Sequence, residues 1–232
     1  MSPRPYRMAA RRAAAEETRA RIVAAAREVI AAPGGIDAFT VDAVARAAGV
    51  ARMTVYHQFG SKTGLIEAVF DSLAIVREGV QRLRAALELS DPEETLAAFV
   101  RTFAGVWEED RLVIRRLQGL AALDPEFARV WDARESRRRG GMREITSRVA
   151  AARAGAAPEL DMEAATAALY AVVSPEAFEA MAGTQHSFAD VAPLVHQLAR
   201  KILGMDGGKP LAFPASAPTA PDRPTRRRTT PG

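Results

Sequence analysis

The 232-residue chain is 48% hydrophobic and 26% charged, enough apolar material for one or two folded domains. It has no cysteine. Disulfides, thiolate chemistry and Cys-ligated zinc are therefore excluded, a reducing cytoplasm fits, and no apolar run reaches the roughly 18 residues of a membrane span. Residues 1–62 hold ten Lys/Arg against five Asp/Glu, residues 63–206 hold 17 against 22, and residues 207–232 hold five against one. The basic N-terminal part suits a nucleic-acid partner and the acidic middle does not.

In chain order, residues 1–15 place Arg4, Arg7, Arg11 and Arg12 among small residues and prolines and read as a flexible basic arm. Their lack of a continuous apolar core argues against a secretory signal. Ile22, Ala25, Ala26 and Val29 form one stripe and predict a helix over about 16–32, stopped by Pro33-Gly34-Gly35. Thr40 caps a second helix with Val41, Val44 and Ala48 inward. Gly49 then makes a tight turn into a third helix that ends at Gly60-Ser61, the layout of a helix-turn-helix. Ser61 caps a fourth helix with Leu65, Ile66, Val69, Phe70 and Leu73, a pattern able to run on to Leu89.

Asp91-Pro92-Glu93-Glu94 joins an Asp cap, Pro at the first helical position and an acidic first turn, and opens a helix through Trp107. Further helices are expected over 112–123, over 125–153 after Asp124-Pro125-Glu126, over 162–181 with Ser174-Pro175 as a kink or split, and from Ser187 to Leu203. No strand pattern competes. The chain reads as all-α, with nine or ten helices: an N-terminal three-helix helix-turn-helix domain over 16–62 and a C-terminal helical domain over 63–206. From Gly207 the Pro/Arg-rich composition predicts a disordered tail over 207–232.

The third helix has two chemically distinct sides. At 100° per residue, Ala51, Val55 and Phe59 share an apolar side, while Arg52, Met53, Tyr56 and His57 share another that can reach base edges and phosphates. The segment Ala-Gly-Val-Ala-Arg-Met-Thr-Val-Tyr-His-Gln-Phe-Gly-Ser-Lys-Thr-Gly-Leu-Ile, residues 48–66, resembles the signature of the TetR family of bacterial transcriptional regulators. The likeness covers about residues 16–70. Ala51 departs from it, because the family carries Ser there, and the change forgoes about 1 kcal/mol of helix capping and one phosphate donor.

The resemblance implies a ligand-responsive regulator, a repressor by expectation, with double-stranded DNA as partner and no cofactor. Thr40, Tyr56, His57 and Lys62 match family positions that meet phosphates. Arg52, Met53 and Thr54 lie near the start of the recognition helix, where Arg52 can read guanine and Met53 can meet a thymine methyl. One helix-turn-helix offers too few contacts for specificity against a genome, so a homodimer on a palindromic operator is expected. By resemblance its interface lies on the last two long helices, with Leu169, Val173, Phe178, Val191, Leu194, Val195, Leu198 and Ile202 as candidates.

The middle helices should, by the same resemblance, enclose a pocket for a lipophilic small-molecule inducer. Phe99, Phe103, Trp107, Leu117, Trp131 and Met142 are candidate walls, and Arg115 or Arg116 a candidate anchor. The alternative is a DNA-binding activator or architectural factor with no inducer. Neither a catalytic constellation nor a metal site is expected: His57, His186 and His196 are scattered, and no nucleophile or phosphate-loop motif occurs.

Overall fold

Side-chain oxygens set the helix starts. Thr40, Ser61, Asp91, Asp161, Ser174 and Ser187 each accept from a backbone amide of the turn that follows, at 3.0–3.2 Å, and Ser187 forms a reciprocal capping box with Asp190. Each such cap contributes about 1 kcal/mol. The computed structural model describes residues 4–35, 37–152 and 160–206, with side chains from Met8 onward. The tail expected over 207–232 lies outside them.

Eleven α-helices and no strand occur among the described residues. They are α1 (Arg4–Ala31), α2 (Val41–Ala47), α3 (Arg52–Phe59), α4 (Lys62–Asp71), α5 (Val80–Leu87), α6 (Pro92–Glu109), α7 (Arg111–Leu123), α8 (Pro125–Ala152), α9 (Met162–Val172), α10 (Pro175–Ala182) and α11 (Phe188–Ile202). A π-helical turn, Ile75–Gly79, precedes α5. No described helix is long and apolar enough to cross a membrane.

Three boundaries have a physical reason in the structure. First, α1 begins at Arg4, not near Glu16, so the described part of the expected arm is helical. Its run of Ala and Arg has high helix propensity. Its buried stripe is Ile22, Ala25, Ala26 and Ile30, with Val29 only half-buried.

Second, the helix expected from Ser61 to Leu89 is broken after Asp71, and tertiary hydrogen bonds explain why. The Ala74 amide donates to the Asp110 carboxylate at 2.6 Å instead of to a carbonyl one turn back. The Ser72 carbonyl accepts from Arg27 at 3.1 Å. Backbone groups that a continuous helix would use internally are thus taken by α1 and by the α6–α7 corner. Third, Ser174-Pro175 splits α9 from α10. Proline has no amide to continue the ladder, the Ala177 amide turns to the Ser174 hydroxyl, and the Val173 carbonyl left open accepts from Trp107 Nε1 at 3.0 Å.

One buried core runs through the whole described structure. α1 packs on α2, α4 and α7; α3 is held between α2 and α4; α11 lies along α6, and α8 along α7 and α9. Phe39, Val55 and Leu65 close the N-terminal part, while Leu117, Phe127, Phe178 and Phe188 fill the larger part, all 2% exposed or less. Burial of each large side chain is worth about 1.5–3 kcal/mol. Arg116 adds a polar tie by donating to the Ile30 and Ala32 carbonyls at the end of α1.

Candidate nucleic-acid interface and apolar pocket

Gly49, at φ +63°, turns the chain between α2 and α3, a left-handed conformation that favours glycine. The Val50 amide donates to the Ala45 carbonyl at 2.9 Å and completes the turn. Val55 is fully buried beneath α3, and Arg19 from α1 secures the helix end by donating to the Gln58 carbonyl at 2.9 Å while its guanidinium lies 4.4 Å from the Phe59 ring centre. The outer side of α3 is thereby fixed in direction. Arg52, Met53 and His57 are exposed on it, with Met53 60% accessible, and Thr54 and Tyr56 are half-buried.

One pairing on this surface is not visible in the sequence. Arg52 pairs with Asp42 of α2 at 2.9 Å and donates to the Tyr56 hydroxyl at 3.2 Å. Both contacts favour its charged form, the Tyr56 hydrogen bond most. An exposed pair of this kind is worth at most about 1 kcal/mol, so Arg52 is held in position yet free to exchange partners. Lys62 sits at the first position of α4, exposed, with Nζ 5.6 Å from the Phe39 ring centre. A cation there opposes the helix dipole, a cost that an external anion would remove. Thr40 is exposed at the start of α2, and Ala51 has the extended geometry of a cap but makes no side-chain cap bond.

About 480 Å³ of cavity lies between α4, the π-turn, α5, α6 and α8. Among the residues predicted for it, Phe99, Phe103, Trp107, Trp131 and Met142 line it. Leu117 does not: it is wholly buried in the core. Arg115 is exposed and away from the cavity, and Arg116 is committed to the end of α1.

Phe70 of α4, with Leu73, Ile75, Val76, Val80 and Leu83 beyond it, completes the walls. The sequence signal for them was the apolar stripe of α4, which by itself reads as domain core. Phe70 packs against Trp131 at 5.5 Å and Phe99 against Phe103 at 4.9 Å between ring centres.

Most of the polar lining comes from α8, with Asp71 of α4 and Arg84 of α5. Arg138 pairs with Glu135 at 2.7 Å, its guanidinium lies 3.9 Å from the Tyr170 ring centre, and the Tyr170 hydroxyl donates to Glu135. Burial, reinforced by the Glu135 carboxylate, pushes the Tyr170 hydroxyl's pKa up. Arg134 pairs with Asp71 at 2.7 Å.

The predicted interface residues divide in two. Leu169, Val173, Phe178, Val191, Val195 and Ile202 are buried against the chain's own core. Leu194 and Leu198, one turn apart on α11, are 47% and 37% exposed.

Residues 22–69, which contain the helix-turn-helix just described, match the family model of bacterial regulatory proteins, tetR family. This N-terminal segment is of the TetR type. The HTH-type transcriptional regulator SrpR of Pseudomonas putida is 52% identical over 60 residues, 26% of this chain and 28% of that protein. The chain matches under half the length of the curated relatives, each of them an HTH-type transcriptional regulator.

Solved TetR-family structures extend the likeness in fold. PfmR of Thermus thermophilus is 27% identical with a TM-score of 0.58, covering 77% of this chain and 96% of its own. A TetR-family regulator of Mesorhizobium loti is 20% identical with a TM-score of 0.64, covering 82% and 97%. The likeness to the TetR family thus lies in the N-terminal segment by sequence and in most of the described chain by architecture.

Proposed function

We propose that this chain is a bacterial transcriptional repressor that binds a palindromic DNA operator as a homodimer and is released by a lipophilic small molecule. The observation that carries the DNA reading is the rigidly backed outer side of α3, where Arg52, Met53 and His57 are exposed above fully buried Val55. Arg52, Met53 and Thr54 face base edges in this reading. Thr40, Tyr56, His57 and Lys62 meet the phosphates, and the α4 start, with its misplaced cation, accepts one of them.

Leu194 and Leu198 support the dimer, because two exposed leucines one turn apart give α11 an apolar strip that a second copy would cover. The cavity supports a ligand-responsive regulator over a factor with no inducer. Its volume and aromatic walls suit a small lipophile. Release follows if the ligand binds more tightly to the state that cannot span both half-sites.

Gel-shift titration of the upstream intergenic DNA tests the DNA reading. Lys62→Ala should weaken binding across sequences and lower the salt slope by about one, whereas Arg52→Ala should cost about 1–3 kcal/mol and relax preference at one base pair. Unchanged binding in both variants would refute the assignment.

A further inference from the structure

Charges around the cavity are unequally satisfied. Asp71 is paired with Arg134 and Glu135 with Arg138. Arg84 on α5 and Arg137 on α8 also line the cavity, are exposed, and have no hydrogen-bond or ion-pair partner among the described residues. Glu144 is the one lining acid in the same condition. The mouth is therefore left with two free cations against one free carboxylate, above an apolar interior.

Between Arg137 and Glu144 the wall of α8 is missing a side chain. Gly140 and Gly141 lie in the middle of a 28-residue helix, where each glycine is unfavourable by roughly 1 kcal/mol relative to alanine. Nothing in the fold requires them: an added Cβ at either would meet no atom within 4 Å. Gly141 lines the cavity, one turn from Arg137 on the same side of the helix. The gap it leaves is continuous with the space between the aromatic walls.

We propose that the cavity takes an amphipathic anion, with its hydrocarbon body passing over Gly141 and its charged end held at the mouth by Arg84 and Arg137. This rests on reading the cavity as the ligand site. The anionic group is a carboxylate or phosphate, which a guanidinium can grip through two parallel hydrogen bonds. The body is long and apolar, because the inner cations are already committed and leave no polar partner deeper in.

The chain's only two tryptophans, Trp107 and Trp131, both line the cavity, so its intrinsic fluorescence reads occupancy. The full chain is titrated with dodecanoate, dodecanol and dodecyltrimethylammonium, each below its micelle concentration, and separately with the neutral dye Nile red. Dodecanoate should bind about tenfold or more tighter than the other two chains. Arg84→Gln with Arg137→Gln should bring it down to the dodecanol value. Gly141→Leu, which raises helix propensity and so keeps the fold, should abolish the response to all three.

Equal affinity for the three probes, or preference for the ammonium, would overturn the anion while leaving the ligand site intact. Undiminished dodecanoate binding in Gly141→Leu would overturn the placement of the body. Silence from every probe and from Nile red would refute the ligand site and the proposal together.

Discussion

Replacing Arg27 with Met tests the junction that breaks the chain between α4 and α5. Arg27 reaches from α1 to the Asp110 carboxylate and to the Ser72 carbonyl, and Asp110 also accepts from the Ala74 amide. The Asp110 side chain is 0% exposed and that of Arg27 is 26% exposed. Removing one member of a buried pair costs about 3–5 kcal/mol, chiefly through the charge left behind.

The two partners should therefore differ. In Arg27→Met a wholly buried carboxylate keeps only the Ala74 amide, and about 3 kcal/mol is expected. In Asp110→Asn the remaining guanidinium reaches water and keeps Ser72, so about 2 kcal/mol is expected. Urea denaturation followed by far-UV circular dichroism measures both, and at about 2–4 °C per kcal/mol the Met variant should also melt roughly 6–12 °C lower. The double variant should lose at least about 1 kcal/mol less than the sum. A loss under about 1 kcal/mol for Arg27→Met, or strict additivity, would refute the account of the break.

Ala51→Ser should stabilise the protein by about 0.5–1 kcal/mol, since position 51 already has cap geometry (φ −70°, ψ 145°) without a cap bond; a denaturation midpoint that falls would contradict this. Leu194→Glu with Leu198→Glu should leave the thermal midpoint within a few degrees and convert a dimer to a monomer by light scattering, because both side chains are exposed. Glu179 is held below the usual carboxylate range, first by its hydrogen bond from Arg111 at 2.7 Å. A depressed carboxyl adds stability that is full above its unfolded pKa of about 4.3 and is lost on acidification through the lower folded value. Glu179→Gln should therefore cost about 1 kcal/mol at neutral pH and nothing at the acid end, as stability curves against pH would record.

Local chemistry was legible and remote chemistry was not. The caps at Thr40, Ser61, Asp91, Asp161, Ser174 and Ser187 act on amides two or three residues away, so reading along the chain locates the helix starts. The all-α class and the helix-turn-helix follow from them and from the turn at Gly49. The break after Asp71 depends on Arg27 and Asp110, dozens of residues distant on either side, and no local pattern carries it.

Apolar periodicity likewise says that a residue is covered, not by what. Leu117 and Phe70 both look like core, yet only Phe70 borders the cavity. Val195 and Leu194 are neighbours in the same apolar helix, and one is sealed inside while the other is open to solvent. The pairing of Arg52 with Asp42 was hidden for the same reason: it joins two helices across the Gly49 turn.

The stitching of α1 to the α6–α7 corner and to Arg116 has a consequence for how this protein can be dissected. The segment bearing the family signature shares one continuous core with the remainder, and its Phe70 and Leu73 form part of the wall of a chamber completed by later helices. Excised as a fragment ending near Ser72, it would expose those side chains and strand Arg27, on a length where burial is already marginal. It is not a cassette that can be lifted out and transplanted; a chimera that borrows α1 to α4 would have to inherit Asp110 as well.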